Sequence, residues 1–214
     1  EILYSSGFNI LNDKGSEIVL DGFEANVPKL AFYSNVSIKT SQIDTIENIF
    51  SKYAYQIGNE EIALHKKIKI RLDVKDGCLG DTSLYVAFVA KNGKFSFLGN
   101  KMLDGKIEAH TNVLGTYVIA KDTVAPRIIP INFKNNSSIS ENWSLRVEVE
   151  DKETGVNKYA MYVNGEWVLA DYDAKNKLLI YQIDDHIKEG HNTLEVIVTD
   201  MVGNKCVYST ILQR

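Results

Sequence analysis

The 214-residue chain carries a formal net charge of −4, with 44% hydrophobic and 24% charged residues. These are ordinary globular proportions and argue against disorder, while the acidic balance argues against a surface that tracks nucleic-acid phosphates, which needs clustered Lys and Arg to displace counterions. No apolar run reaches the roughly 18 residues of a membrane-spanning helix.

The length suits two domains of roughly 100 residues, each large enough to bury its own core. The chain opens at Glu1 and shows no basic-then-apolar leader, so a mature or trimmed segment is expected. Its two cysteines, Cys78 and Cys206, fall in different expected domains and are too few for a disulfide framework, so both are expected as free thiols.

Strand signals run from end to end. Phe23–Val27, Ile68–Leu72, Leu84–Val89, Phe95–Leu98 and Thr116–Ala120 are short, apolar-rich runs separated by Gly, Asn and Asp. One stretch breaks the pattern: Ile43, Ile46, Ile49, Phe50 and Tyr53 recur at helical spacing, with Asp44 and Glu47 placed as an N-cap and a third-position acid. At most two or three helical turns are expected there. The basic run His65 to Arg71 alternates with isoleucines from Lys67 onward and reads as the wet face of a strand.

A boundary follows Thr116–Ala120, where Asp122-Thr-Val-Ala-Pro126 forces extended backbone before the proline. Domains are therefore expected at 1–122 and 123–214. In the second, Leu145, Val147 and Val149 alternate with Arg146, Glu148 and Glu150 as a half-buried strand. Tyr159–Val163 and Glu166–Ala170 flank Asn164-Gly165, a dipeptide that accepts the two positive φ angles of a type I′ turn. That register sets Tyr162 opposite Trp167 and Met161 opposite Val168. It also leaves both faces of the hairpin apolar, so one must be covered by a loop, by the first domain or by a partner. Thr193–Thr199 alternates again, and Asp200-Met-Val-Gly-Asn204 turns into a last strand. The fold class is thus all-β: two tandem β-sandwich domains.

Catalytic signatures are missing. His65, His110, His186 and His191 form no HExxH, HxH or HxxxD pattern, and there is no GxSxG elbow, P-loop or GxGxxG fingerprint. Isolated histidines of this kind read as surface or turn residues. Asp122, Asp151, Glu153 and Asp200 lie at turns that could share one pole of a sandwich, where their oxygens would suit Ca²⁺; the alternative is that each aspartate caps its own turn. Trp143, Trp167, Tyr159, Tyr172 and Tyr181 are candidates for stacking on sugars, or else core residues.

From Gly115 onward a series of elements carries a family resemblance: Gly115-Thr-Tyr117, Asp122-Thr-x-x-Pro126, Asp151-x-x-x-Gly155-Val-x-x-Tyr159, Asn164-Gly165-Glu-Trp167-Val-Leu169, Tyr172-Asp173-x-Lys175, Gly190-His191 and Asp200-x-x-Gly203-Asn204. It resembles the C-terminal β-domains of Gram-negative bacterial lysostaphin/LytM-like zinc metallopeptidases, and its second domain resembles bacterial immunoglobulin-like modules. Val27-Pro-Lys-Leu-Ala-Phe-Tyr33 is similar to the β-region that follows the peptidase domain in such proteins. The HxxxD and HxH zinc motifs of that family do not occur here, so no catalytic residue carries over. What the resemblance implies is an exported setting, periplasm or cell surface, and a non-catalytic accessory module that positions a peptidase or docks on cell-wall material or a protein. An adhesin-like or carbohydrate-binding module is the alternative. The expected contact surface is Tyr159, Met161, Trp167 and Tyr172.

Overall fold

A computed structural model of the chain describes residues 2–44, 46, 48–75 and 77–214. It divides into two compact units, Glu1–Asp122 and Thr123–Arg214. Both are β-sandwiches, and no helix among the described residues is long and apolar enough to cross a membrane.

The first unit contains β1 (Ile2–Ile10), β2 (Ser16–Leu20), β3 (Phe23–Val27), β4 (Val36–Ile43), β5 (Ala54–Ile57), β6 (Ile68–Asp73), β7 (Leu84–Val89), β8 (Phe95–Gly99), β9 (Lys101–Leu103), β10 (Lys106–Thr111) and β11 (Gly115–Lys121). They form a six-stranded sheet in the order β1-β4-β5-β11-β7-β8 and a five-stranded sheet in the order β2-β3-β6-β10-β9. Period-two alternation fills the interior: Ile68, Ile70 and Leu72 of β6 are fully buried. Between the sheets Phe23 stacks on Tyr55 at 5.1 Å and on Tyr117 at 6.2 Å. A buried phenol needs an acceptor. Tyr55 donates to the Asp21 carbonyl at 2.9 Å, and Tyr117 donates to the carbonyl of Val113. Burial holds both phenols well above their usual pKa.

The other side of β6 carries the basic run, and it is a strand face as the alternation implied. Arg71 donates to Glu108 of neighbouring β10 at 2.9 Å, with Lys69 at 3.9 Å and Lys101 of β9 at 3.7 Å from the same carboxylate. The Arg71 hydrogen bond outweighs burial and lowers the Glu108 pKa. Lys106 lies 2.7 Å from Glu24 and 3.0 Å from Asp73. These lysines and Arg71 are engaged by carboxylates of their own sheet.

Among the described residues of 43–53 the expected helix does not form. Ile43 ends β4 and pairs with Ala54. The Phe50 amide donates to Ile119 at 2.7 Å, its carbonyl accepts from Lys75 at 2.9 Å, and Ser51 bridges to Val74. Ser51 Oγ also accepts from the Ile119 amide at 3.0 Å. Backbone groups that a helix would pair locally are taken by strands distant in sequence, and tertiary bonding overrides the local period. Thr45 and Glu47, the expected third-position acid, lie outside the described residues.

The second unit contains β12 (Arg127–Pro130), β13 (Ser137–Ser138), β14 (Ser144–Glu150), β15 (Val156–Val163), β16 (Glu166–Val168), β17 (Asp171–Asp173), β18 (Leu178–Gln182), β19 (His191–Asp200) and β20 (Lys205–Gln213). One sheet runs β12-β14-β18-β17 and the other β13-β20-β19-β15-β16. The entering chain contributes β12 to one sheet and then β13, parallel to β20, to the other. This is the immunoglobulin-like arrangement of two Greek-key sheets. Its core is built from Leu145, Val147 and Val149 on one sheet and Met161, Val163, Leu194, Val196 and Val198 on the other. Cys78 and Cys206 are free thiols.

Candidate functional site

The Asn164-Gly165 turn has φ angles of 52° and 83°, and the register it sets pairs Val163 with Glu166, Tyr162 with Trp167 and Met161 with Val168. Because β15 also pairs with β19, the two apolar faces of the hairpin are resolved. Met161 sits opposite Val196 and Val163 opposite Leu194, all four in the core. Met161, expected on the contact surface, is therefore corrected: it is 0% exposed and part of the packing between sheets.

The opposite face points out. Trp167 is 58% exposed, and Leu169, just past the end of β16 at Val168, is 69% exposed. Outer positions of four strands fall into one cross-strand row, Ser209 opposite Glu195, Glu195 opposite Tyr162, and Tyr162 opposite Trp167. The adjoining outer positions bring exposed Val207 opposite Ile197, and exposed Ile211 opposite Thr193. A groove of about 630 Å³ runs over part of this face and is lined by Tyr162, Glu195, Thr193, Ser209, Asn135 and Ile211 among others.

The remaining expected aromatics are not in this row. Tyr159 and Tyr172 pack against each other at 5.3 Å, joining β15 to β17 of the other sheet. Tyr181 is buried, correcting its place among sugar-stacking candidates, and its hydroxyl donates to Asp184. Trp143 is 88% exposed on the loop before β14. The expected surface of Tyr159, Met161, Trp167 and Tyr172 thus separates into a core residue, an inter-sheet ring pair and one outer-face tryptophan. Glu195, Ser209 and Asn135 join Trp167's face instead. Their signal was the polar half of the Thr193–Thr199 alternation and the loop after Pro130.

The acidic turns have a definite local role. Asp151 Oδ1 accepts amides from Glu153 at 3.2 Å, Thr154 at 2.8 Å and Gly155 at 2.7 Å. Asp200 Oδ1 accepts from Val202 at 3.0 Å, Gly203 at 2.7 Å and Asn204 at 2.8 Å, while Oδ2 accepts from the Asn204 side chain at 2.7 Å. Within the second unit these two carboxylates approach one another, with an oxygen of each inside 4.8 Å. Glu153 is exposed and is not brought to them. Asp122 ends the first unit as a buried residue whose amide donates to Ser83 at 3.0 Å. Turn capping is the role that this geometry gives Asp151 and Asp200.

His65, His110 and His191 are exposed strand-end or loop residues. His186 is half-buried. Its Nδ1 lies 2.8 Å from Asp184 Oδ1, and its Nε2 lies 3.8 Å from Glu166. Burial would raise the Asp184 pKa, but the hydrogen bonds from Tyr181 and His186 hold it below the usual carboxylate value.

No curated protein matches the chain. Among solved structures it is similar to the fibronectin(III)-like modules of Clostridium thermocellum CbhA, at 17% identity over 69% of this chain and 85% of that one, with a TM-score of 0.34. Residues 11–122 match the Zu5-like domain family. That match covers nearly all of the first sandwich and more than half of the whole, and the chain belongs to the Zu5-like domain family.

Proposed function

We propose that the chain is a non-catalytic accessory module of a cell-envelope protein, and that it docks through the outer face of the β13-β20-β19-β15-β16 sheet. The observation that carries this reading is the exposure of Trp167 on the edge strand of that face, with Leu169 exposed just past the strand's end and Val207 and Ile211 exposed across the sheet on β20. An outer sheet face that meets only water gains nothing from presenting several large apolar side chains, and their recurrence on one face supports a contact site. The envelope setting rests on the resemblance of residues 115–204 to the C-terminal domains of exported peptidases. In that setting the module holds its parent enzyme against cell-wall material or a protein neighbour.

The test is retention of the full chain on purified cell-wall sacculi and on envelope extract, compared with a Trp167→Ser/Leu169→Ser variant. Both positions are exposed, so the variant should keep the parent's thermal transition while retention falls at least tenfold on one of the two materials. Equal retention of the two proteins on both materials would overturn the assignment of this face.

A further inference from the structure

The outer-face groove of the second unit combines groups that a purely apolar docking surface would not. Tyr162 lines the groove, and its cross-strand partner Trp167, on the edge strand, stands outside the lining as an exposed ring at the groove's flank. Next in the same row is the Glu195 carboxylate, and beyond it is Ser209, whose hydroxyl donates to Glu195 at 3.5 Å. Three steps of about 4.8 Å make the row about 14 Å long. Asn135 spends its Oδ1 on the Thr210 hydroxyl at 3.0 Å and the Ile211 amide at 3.3 Å, which leaves its NH₂ group as a donor at the groove edge. The volume of about 630 Å³ falls inside the roughly 300–1,000 Å³ of clefts that hold small ligands.

Charge decides between classes of occupant. No lysine or arginine lines the groove among the described residues, and the Glu195 carboxylate does. An anionic ligand would meet Glu195 with repulsion. A flat apolar protein surface would strip water from Glu195 without replacing its hydrogen bonds, which is strongly unfavourable for an unpaired ion. A neutral oligosaccharide satisfies both halves of the site. Its C–H faces lie on the rings of Tyr162 and Trp167, and its hydroxyls donate to Glu195 and accept from Asn135 and Ser209.

We infer that this groove, together with the Trp167 edge beside it, binds a neutral oligosaccharide, stacked on Tyr162 and Trp167 and hydrogen-bonded by Glu195, Ser209 and Asn135. The inference rests on the outer face being the docking surface and names what docks there.

Calorimetric titration of the full chain with cellohexaose, laminarihexaose, xylohexaose and chitohexaose tests it, with an oligogalacturonate as the anionic control. At least one neutral hexamer should bind with a Kd at or below the millimolar range, and the oligogalacturonate at least tenfold more weakly. Trp167→Ala and Tyr162→Ala should each weaken the neutral sugar tenfold or more, and Glu195→Gln severalfold, with unchanged thermal transitions. Absence of binding to all four hexamers, binding unaffected by Trp167→Ala and Tyr162→Ala, or preference for the oligogalacturonate would each overturn the inference. If the sugars fail while Trp167→Ser/Leu169→Ser still abolishes retention on envelope extract, the occupant is a protein and only the docking face stands. If that retention is also unaffected, both readings fall.

Discussion

Asp200 and Asp81 show how single carboxylates hold turns in the two units. Asp200 is fully buried, and one of its oxygens gathers three backbone amides of the Asp200–Asn204 turn. Asp200→Ala would leave these donors without their acceptor, a loss of about 2–3 kcal/mol that urea unfolding should read directly. Asp81 is salt-bridged to Lys121 at 2.8 Å and bonded by Ser83. The Lys121 contact first, then Ser83, pulls its pKa from 3.8 to about 2. A depressed folded-state pKa means that the stabilisation is complete above the unfolded value, about 4, and is lost as pH falls toward 2. The stability difference between the parent and Asp81→Asn should therefore shrink across that window; a constant difference from pH 5 to about pH 2 would contradict the assigned role.

At the scale of elements, the β15–β16 hairpin carries the sharpest contrast. Met161→Ala should cost about 2–5 kcal/mol, since it removes volume from a packed core, while Trp167→Ala on the outer face should stay within about 0.5 kcal/mol. Chemical denaturation of the two variants checks this, and similar losses for both would mean that the faces are misassigned. The turn and register of this hairpin were legible because Asn164-Gly165 is one of few dipeptides that accept two positive φ angles. Which face turned inward was not, because both are apolar. That choice was made by β19, whose buried Leu194, Val196 and Val198 draw Val163, Met161 and their neighbours to the same side. The same limit explains the failed helix: Ile46, Ile49 and Phe50 have helical spacing, yet Phe50 is claimed by Ile119 and Lys75, which no local pattern reveals. Within the site, Trp167 could be named from sequence, whereas Asn135 could not, because it reaches Thr210 across 75 residues.

In the whole molecule, each unit has a core of its own, one centred on Phe23, Tyr55 and Tyr117, the other on Met161, Val196 and Leu145. Residues 123–214 expressed alone should therefore unfold in one cooperative transition, and a broad, non-cooperative melt would contradict an independent immunoglobulin-like unit. The first unit brings a Zu5-like sandwich whose outer sheet face is laced with ion pairs, and the second brings a sheet face where rings, Glu195 and hydroxyls stand in one row. On the proposed reading this second face is where the protein makes contact. Amide hydrogen exchange of the full chain, with and without cell-envelope extract, maps that contact. Added protection concentrated in peptides covering residues 159–168, 193–199 and 205–213 is the predicted result; protection confined to other segments, or none, would contradict it.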